Sequence, residues 1–390
     1  MTPRRRLAFL HAAHFLCHYF LLIFPTAVIA IGRGRGLDYG AALALGTPLY
    51  VLFALGTLPA GWLGDRWDGD RLIGLSFIGC GAASILVAFA PDQVWPMVGL
   101  GALGLFAAIY HPAGLAMVTR LTERPGRALA VNGVFGNLGL AASALSTGLL
   151  ADAFGWRAAF LVPGVVALGA GAVYLLARRR FSATTSTSSD AHTSPELAVP
   201  RAIQLRVVGV VVLAAVFSGL VFNGVSISLP KLFDERLGGI APSLASVGGY
   251  TALVFAVAAF AQLPIGVLLD RIGGRSVMLA LFVAEVGALA ILSRAGGWLV
   301  IPSALAAVTL MFAGIPITGW LLGRYVAASW RSRAFAVEYV LALGMGAIVV
   351  PMMAALHRAG FGFDRQYVLF TLAAGVVAIG ALFLPQPARA

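Results

Sequence analysis

Leu263-Pro264-Ile265-Gly266-Val267-Leu268-Leu269-Asp270-Arg271 stands 205 residues after Leu58-Pro59-Ala60-Gly61-Trp62-Leu63-Gly64-Asp65-Arg66. The two stretches share Leu, Pro, Gly, a second Leu, Asp and Arg in register. Arg127-Ala128-Leu129-Ala130-Val131 repeats as Arg333-Ala334-Phe335-Ala336-Val337 at an offset of 206, and Pro25 repeats as Pro230 at 205. Three registrations in the same order mean that the chain is built from two similar halves. A repeat of this size, with copies running in the same direction, is an architecture of secondary transporters whose binding site lies near the bilayer midplane between the copies.

Both copies of the Asp-Arg stretch end an apolar run, and such runs fill the chain. With 60% hydrophobic residues and only 11% charged ones over 390 residues, the composition excludes an ordinary soluble globule, a disordered chain and a soluble enzyme. At roughly 20 apolar residues per crossing, this content supplies at most about twelve membrane helices. The runs fall at 7–31, 39–62, 72–90, 96–119, 128–150 and 158–177, then at 207–230, 243–269, 276–293, 298–322, 334–356 and 366–384. Pro25 and Pro230 are expected to end the first and seventh. The first run follows Arg4, Arg5 and Arg6 but is too long for a signal peptide and carries three histidines, so it reads as a retained helix. The fold class is therefore an all-α polytopic membrane protein of twelve transmembrane helices in two pseudo-symmetric six-helix bundles. Residues 1–177 form the first bundle, 178–206 a Ser/Thr-rich basic linker and 207–390 the second.

Charge gives the orientation. Of 27 basic residues, 19 fall on the side that carries both termini and 8 on the other, which places the termini in the cytoplasm. The net charge of +12 is thereby a topological signal, and no nucleic-acid partner is needed. Cys17 and Cys80 both lie in apolar runs, which excludes a disulfide framework.

A glycine at a helix end permits close approach of two helices. An Asp beside a basic turn can pair across the cytoplasmic seam or face a helix N-terminus. Gly61, Asp65, Arg66 and Arg71, with Gly266, Asp270, Arg271 and Arg275, thus read as a conformational gate that breaks and reforms as the halves rock. Gly266-Val267-Leu268-Leu269-Asp270-Arg271-Ile272-Gly273-Gly274-Arg275 resembles the signature of the major facilitator superfamily, and so does its first-half copy, where Asp68 replaces the second glycine. Gly155-Trp156-Arg157-Ala158-Ala159-Phe160 is similar to the superfamily as well. Tyr110-His111-Pro112 resembles a segment of fosmidomycin-resistance-type drug exporters. Two departures from proton-coupled drug exporters are visible: span 4 lacks their arginine, and Leu140 stands where a proline follows the span 5 glycines.

The resemblance implies that spans 1, 4, 7 and 10 line the path, with His14, His18, His111 and Asn223 facing inward. His11, His14 and His18 are spaced to share one helix face, flanked by Cys17 and Tyr19. Ionisable groups in a bilayer cost a few kcal/mol each, so each needs a reason. Imidazoles can bind solute or carry protons. They can also bind a soft metal with Cys17, Met311, Met345 and Met352, or bond neighbouring helices, the role expected of His11. Asn132 and Glu338 lie five residues beyond Arg127 and Arg333. Glu338, beside Tyr339, reads either as a coupling carboxylate or as a structural partner of Arg333. Glu285 reads as a carboxyl packed at the periphery, and Asn137 and Gln262 as interhelical hydrogen bonds.

The expected substrate and proton path thus comprises His14, His18, Tyr19, Tyr110, His111, Asn132, Asn223 and Glu338. The function expected is a secondary active transporter, not an enzyme, moving a small organic solute by alternating access. Proton coupling, export and residence as a monomer in the bacterial inner membrane complete the expectation. No cofactor is called for, because the chain has no P-loop. The alternatives are transport of a transition metal or its complex through the span 1 histidines, and a transporter-like sensor.

Overall fold

The computed structural model describes residues 3–91, 94–122, 125–178 and 199–386, and all regular structure among them is helical. Most of the linker, 179–198, lies outside the described residues. A helix is the form in which a chain satisfies every backbone donor and acceptor within one bilayer crossing. Spans 1 to 6 are Arg4–Arg35, Tyr39–Gly64, Gly69–Ala88, Val94–Arg120, Gly126–Phe154 and Trp156–Arg178. Spans 7 to 11 are Arg201–Arg236, Leu244–Ile272, Gly274–Arg294, Gly297–Tyr325 and Arg333–Arg358. Span 12, Phe363–Ala381, opens on Asp364, Arg365 and Gln366 and so has a shorter apolar stretch. Leu55, Val166, Ile291 and Leu372 are each more than half exposed, as side chains facing lipid should be.

Spans 1 and 7 do not end at Pro25 and Pro230. Both prolines sit inside continuous helices that run to Arg35 and Arg236. Neighbouring helices re-satisfy the carbonyl that a proline frees, so an intramembrane proline need not be a terminus. Other spans do break. Span 2 is interrupted after Ala44, four residues before Pro48; span 4 at Ala108–Ile109, ahead of Pro112; span 8 between Ala258 and Gln262, ahead of Pro264. In each case the proline ring displaces the carbonyl four residues back, or one next to it. Span 11 breaks at Met345, between Gly344 and Gly346.

The halves meet through spans 1 and 7, 2 and 11, and 5 and 8. Their polar contacts cluster at the end away from the termini. Arg33 of span 1 pairs with Asp234 of span 7. The Asp152 carboxylate at the end of span 5 accepts from the Leu244 and Ala245 amides at 3.2 and 2.7 Å, capping span 8 across the interface. Just inside, a Cβ on Gly248 would strike the Ala144 carbonyl, and one on Gly148 the Leu244 carbonyl. Helix backbones therefore touch at this crossing.

At the opposite end the gate residues bond within their own halves. Asp270 accepts from Trp320 Nε1 of span 10 at 2.8 Å. Arg275 reaches the Leu384 carbonyl at 3.4 Å. Arg66 lies over the Trp62 ring, 4.0 Å from its centroid. Gly266 faces open space and Gly61 meets only Pro112, at 3.7 Å, so neither glycine serves a close helix approach in this conformation. The two turns are shaped differently. Gly273 enters span 9 at φ +81°, where glycine is favoured. Asp68 is an N-cap, accepting from the Asp70 amide at 2.9 Å and pairing with Arg178 of span 6 at 3.1 Å. A side-chain cap thus does in the first half what a left-handed glycine does in the second.

Candidate functional site

Pro112 interrupts span 4 beside Tyr110 and His111, and the bend carries both against span 1. His14 stacks on Tyr110 with centroids 4.7 Å apart and meets His18 edge-on at 4.6 Å. His111 completes the group, 5.3 Å from His14 and 5.4 Å from His18. One nitrogen from each imidazole lies within 4.8 Å of the other two. On its other side His111 meets Phe53 at 6.0 Å and, across the interface, Tyr339 of span 11 at 6.5 Å.

Asn132, fully buried in span 5, organises the inner wall. Its side-chain oxygen accepts from the Tyr110 hydroxyl at 2.9 Å, and its amide donates to His11 Nδ1 at 2.9 Å. Its backbone carbonyl lies 2.8 Å from His14 Nδ1. A carbonyl only accepts, so His14 carries a proton on Nδ1, and in the neutral ring Nε2 then presents a lone pair. His14 Nε2, His18 Nδ1 and both ring nitrogens of His111 are buried without a protein partner. Buried polar atoms are nearly always satisfied, and four orphans in one cluster mark a place built for something else.

Asn132→Leu keeps the backbone bond to His14 but strands the Tyr110 hydroxyl and the His11 ring. At roughly 1–3 kcal/mol for each buried polar group left unpaired, the expected loss of stability is about 2–3 kcal/mol. Tyr110→Phe removes one of the two bonds and should cost less. Thermal unfolding in detergent measures both, and equal midpoints for wild type and Asn132→Leu would contradict the assignment.

The other expected path residues have contacts of their own. Asn223 donates to Gly219 O at 2.8 Å and reaches Ala342 O of span 11 at 3.4 Å. Tyr19 bonds Ser146 of span 5 at 2.6 Å. Glu338 accepts from Thr318 of span 10 at 3.0 Å, while Arg333 is exposed and makes no ion pair with it. Cys17 donates to Ala107 O at 3.4 Å and is outside the imidazole group. His11 stacks on Phe135 besides bonding Asn132, the structural role expected of it. Gln262 bonds its own helix at Ala259 O, and Asn137 Nδ2 is buried unpartnered, so neither makes the interhelical bond expected. Glu285 is buried, with one carboxyl oxygen unpartnered. Sequence reasoning missed the Arg33–Asp234 pair and the Asp152 cap, whose partners lie far apart in the chain and carry no local pattern.

A family model described as Major Facilitator Superfamily matches residues 7–254. A puromycin resistance protein of Streptomyces alboniger is 33% identical over 28% of this chain and 23% of its own length. The multidrug resistance protein MdtG of Escherichia fergusonii is 27% identical over 58% of this chain and 55% of its own. The chain thus spans from about a quarter to about half the length of these relatives. Among solved structures, a bacterial homolog of the lysosomal transporter Spinster, inward-facing and occupied, superposes with a TM-score of 0.74 at 16% identity, covering 98% of this chain and 97% of that one. A D-xylose-proton symporter superposes at 0.75 and 14% identity, covering 97% of both. With eleven helices long and apolar enough to cross a membrane among the described residues, the twin Asp-Arg turns and the match over most of its length, this chain belongs to the major facilitator superfamily.

Proposed function

We propose that this chain exports small, partly apolar organic solutes from a bacterial cell in exchange for protons, with both termini in the cytoplasm. The observation that carries the reading is a polar and aromatic site, His14, His18, Tyr110 and His111, facing Tyr339 of the other half. The halves are latched at the end away from the termini, by Arg33–Asp234 and the Asp152 cap. With cytoplasmic termini this is an inward-facing state, which loads cargo from the cell interior. Relatives named for puromycin and multidrug resistance favour export, and a neighbour named as a proton symporter favours proton coupling.

Glu338 is the coupling carboxylate in this reading. It is held in span 11 by Thr318 with no ion pair among the described residues, next to the Tyr339 that faces His111. A carboxyl in that setting must trade its proton as the halves alternate, because carrying it charged through an apolar interface is costly. In proteoliposomes, with puromycin as probe, Glu338→Gln should cut gradient-driven flux at least about tenfold, equivalent to ~1.4 kcal/mol of lost coupling. It should leave puromycin-for-puromycin exchange intact. Equal loss of both activities would assign Glu338 to structure, and wild-type gradient-driven flux would remove it from coupling.

A further inference from the structure

The four orphaned nitrogens are of one chemical kind, and no solute is needed to say what suits them. We propose that His14, His18 and His111 form a binding site for a divalent first-row transition metal, with Zn²⁺ as its type. Two of the ligands come from span 1 and the third from the Pro112 bend of span 4.

The donor set points to borderline metals. Imidazole suits Zn, Cu, Ni and Fe, whereas a soft-metal site needs thiolate or thioether. Cys17 is engaged with Ala107 O and stands outside the group. Tetrahedral zinc at 2.0–2.1 Å from each nitrogen sets ligand atoms about 3.4 Å apart. The observed spread is up to 4.8 Å. Closing this gap calls for the His18 and His111 rings to turn toward His14 Nε2, and His18 is only half-buried.

His14 already has the partner that metal-bound histidines characteristically have: Nδ1 donates to a backbone carbonyl, which fixes the ring and aims Nε2 at the cluster. The rings of His14 and His18 cross at 84° and those of His14 and His111 at 90°, so the three converge rather than stack. Three histidines leave a fourth position open. That position takes water or an anionic oxygen from a solute. No carboxylate joins the group among the described residues, so a bound cation also draws negatively charged cargo to the site. The metal itself requires only the fold, and it stands or falls separately from proton coupling and the direction of transport.

The test uses the full-length protein in detergent, freed of any affinity tag and chelator-treated. Equilibrium dialysis against Zn²⁺ should give one ion per chain. His14→Gln and His111→Gln should each abolish it, and His357→Gln, a half-buried histidine elsewhere, should not. Because one variant could lose metal by losing its fold, Co²⁺ replaces Zn²⁺ in the wild type. The intense visible bands of a tetrahedral Co²⁺ site should appear and vanish on adding Zn²⁺. Absence of saturable binding, retention of the ion by His111→Gln, or a weak octahedral Co²⁺ spectrum each overturns the site and leaves water as its occupant. Zn²⁺ flux into vesicles would make the ion cargo, and binding without flux a resident ion. Both of those outcomes support the site.

Discussion

Gly248→Leu abolishes transport while leaving the histidine cluster intact; this is the largest functional effect expected of any single substitution here. Spans 5 and 8 cross where Ala144 and Gly148 face Leu244 and Gly248, small residues four apart on span 5 letting two backbones touch. A Cβ at Gly248 would land on the Ala144 carbonyl oxygen, with the Gly148 backbone behind it. Backbone on a helix cannot rotate away as a side-chain tip can, so the helices must separate. Separation pulls the Asp152 carboxylate off the Leu244 and Ala245 amides, which lie on the same crossing. A penalty of about 3 kcal/mol on the state closed at this end depletes it by more than a hundredfold. Alternating access then stops, because one of its two states is missing. Flux in proteoliposomes measures the loss, and reactivity of a cysteine placed at Ala245 should rise in parallel. Gly248→Ala should lie between wild type and the leucine variant. Full transport by Gly248→Leu would mean that the crossing is not a required contact.

The largest effect on stability is expected from Asp70→Ala, far from that crossing. Asp70 begins span 3 and is only 5% exposed. Its carboxylate accepts from Arg6 Nε at 3.1 Å, Arg6 Nη2 at 2.5 Å and the Tyr174 hydroxyl at 2.5 Å. One side chain therefore ties spans 1, 3 and 6 together. Removing one member of a buried pair costs about 3–5 kcal/mol, mostly by stranding the other charge. Arg6 keeps about a quarter of its side chain exposed, which lowers the expected cost to about 2–3 kcal/mol. Asp70→Asn retains an acceptor oxygen and should cost less. Unfolding midpoints of Asp70→Ala, Arg6→Ala and the double variant give the coupling directly. Additive effects would show that the three groups are neighbours without being partners.

The repeat, the helix count and the two Asp-Arg turns were legible in the sequence because each is a local pattern or a fixed offset. The helix ends were less so. Pro25 and Pro230 look like terminators to any reading based on propensity, yet surrounding helices supply what the ring removes. The site was half legible. Spacing alone put His14 and His18 on one face, but only the bend at Pro112 and the packing of span 4 on span 1 bring His111 to them. Asn223 shows the converse: its place in the repeat matches His18, yet its bonds to the Gly219 and Ala342 carbonyls could not be read from that offset. Helix rotation about its own axis is settled by neighbours distant in sequence. So are the Arg6–Asp70–Tyr174 and Asp152–Leu244 contacts, whose partners stand 64 to 104 residues apart.

Arg178 is the last residue of span 6, and from it the chain sets out toward the second half. Its pairing with Asp68 moors that departure point to the turn between spans 2 and 3. The covalent tie between the halves thus leaves the first bundle from a residue fastened to the first Asp-Arg turn. A shortened connecting segment would therefore pull on the first Asp-Arg turn through Arg178.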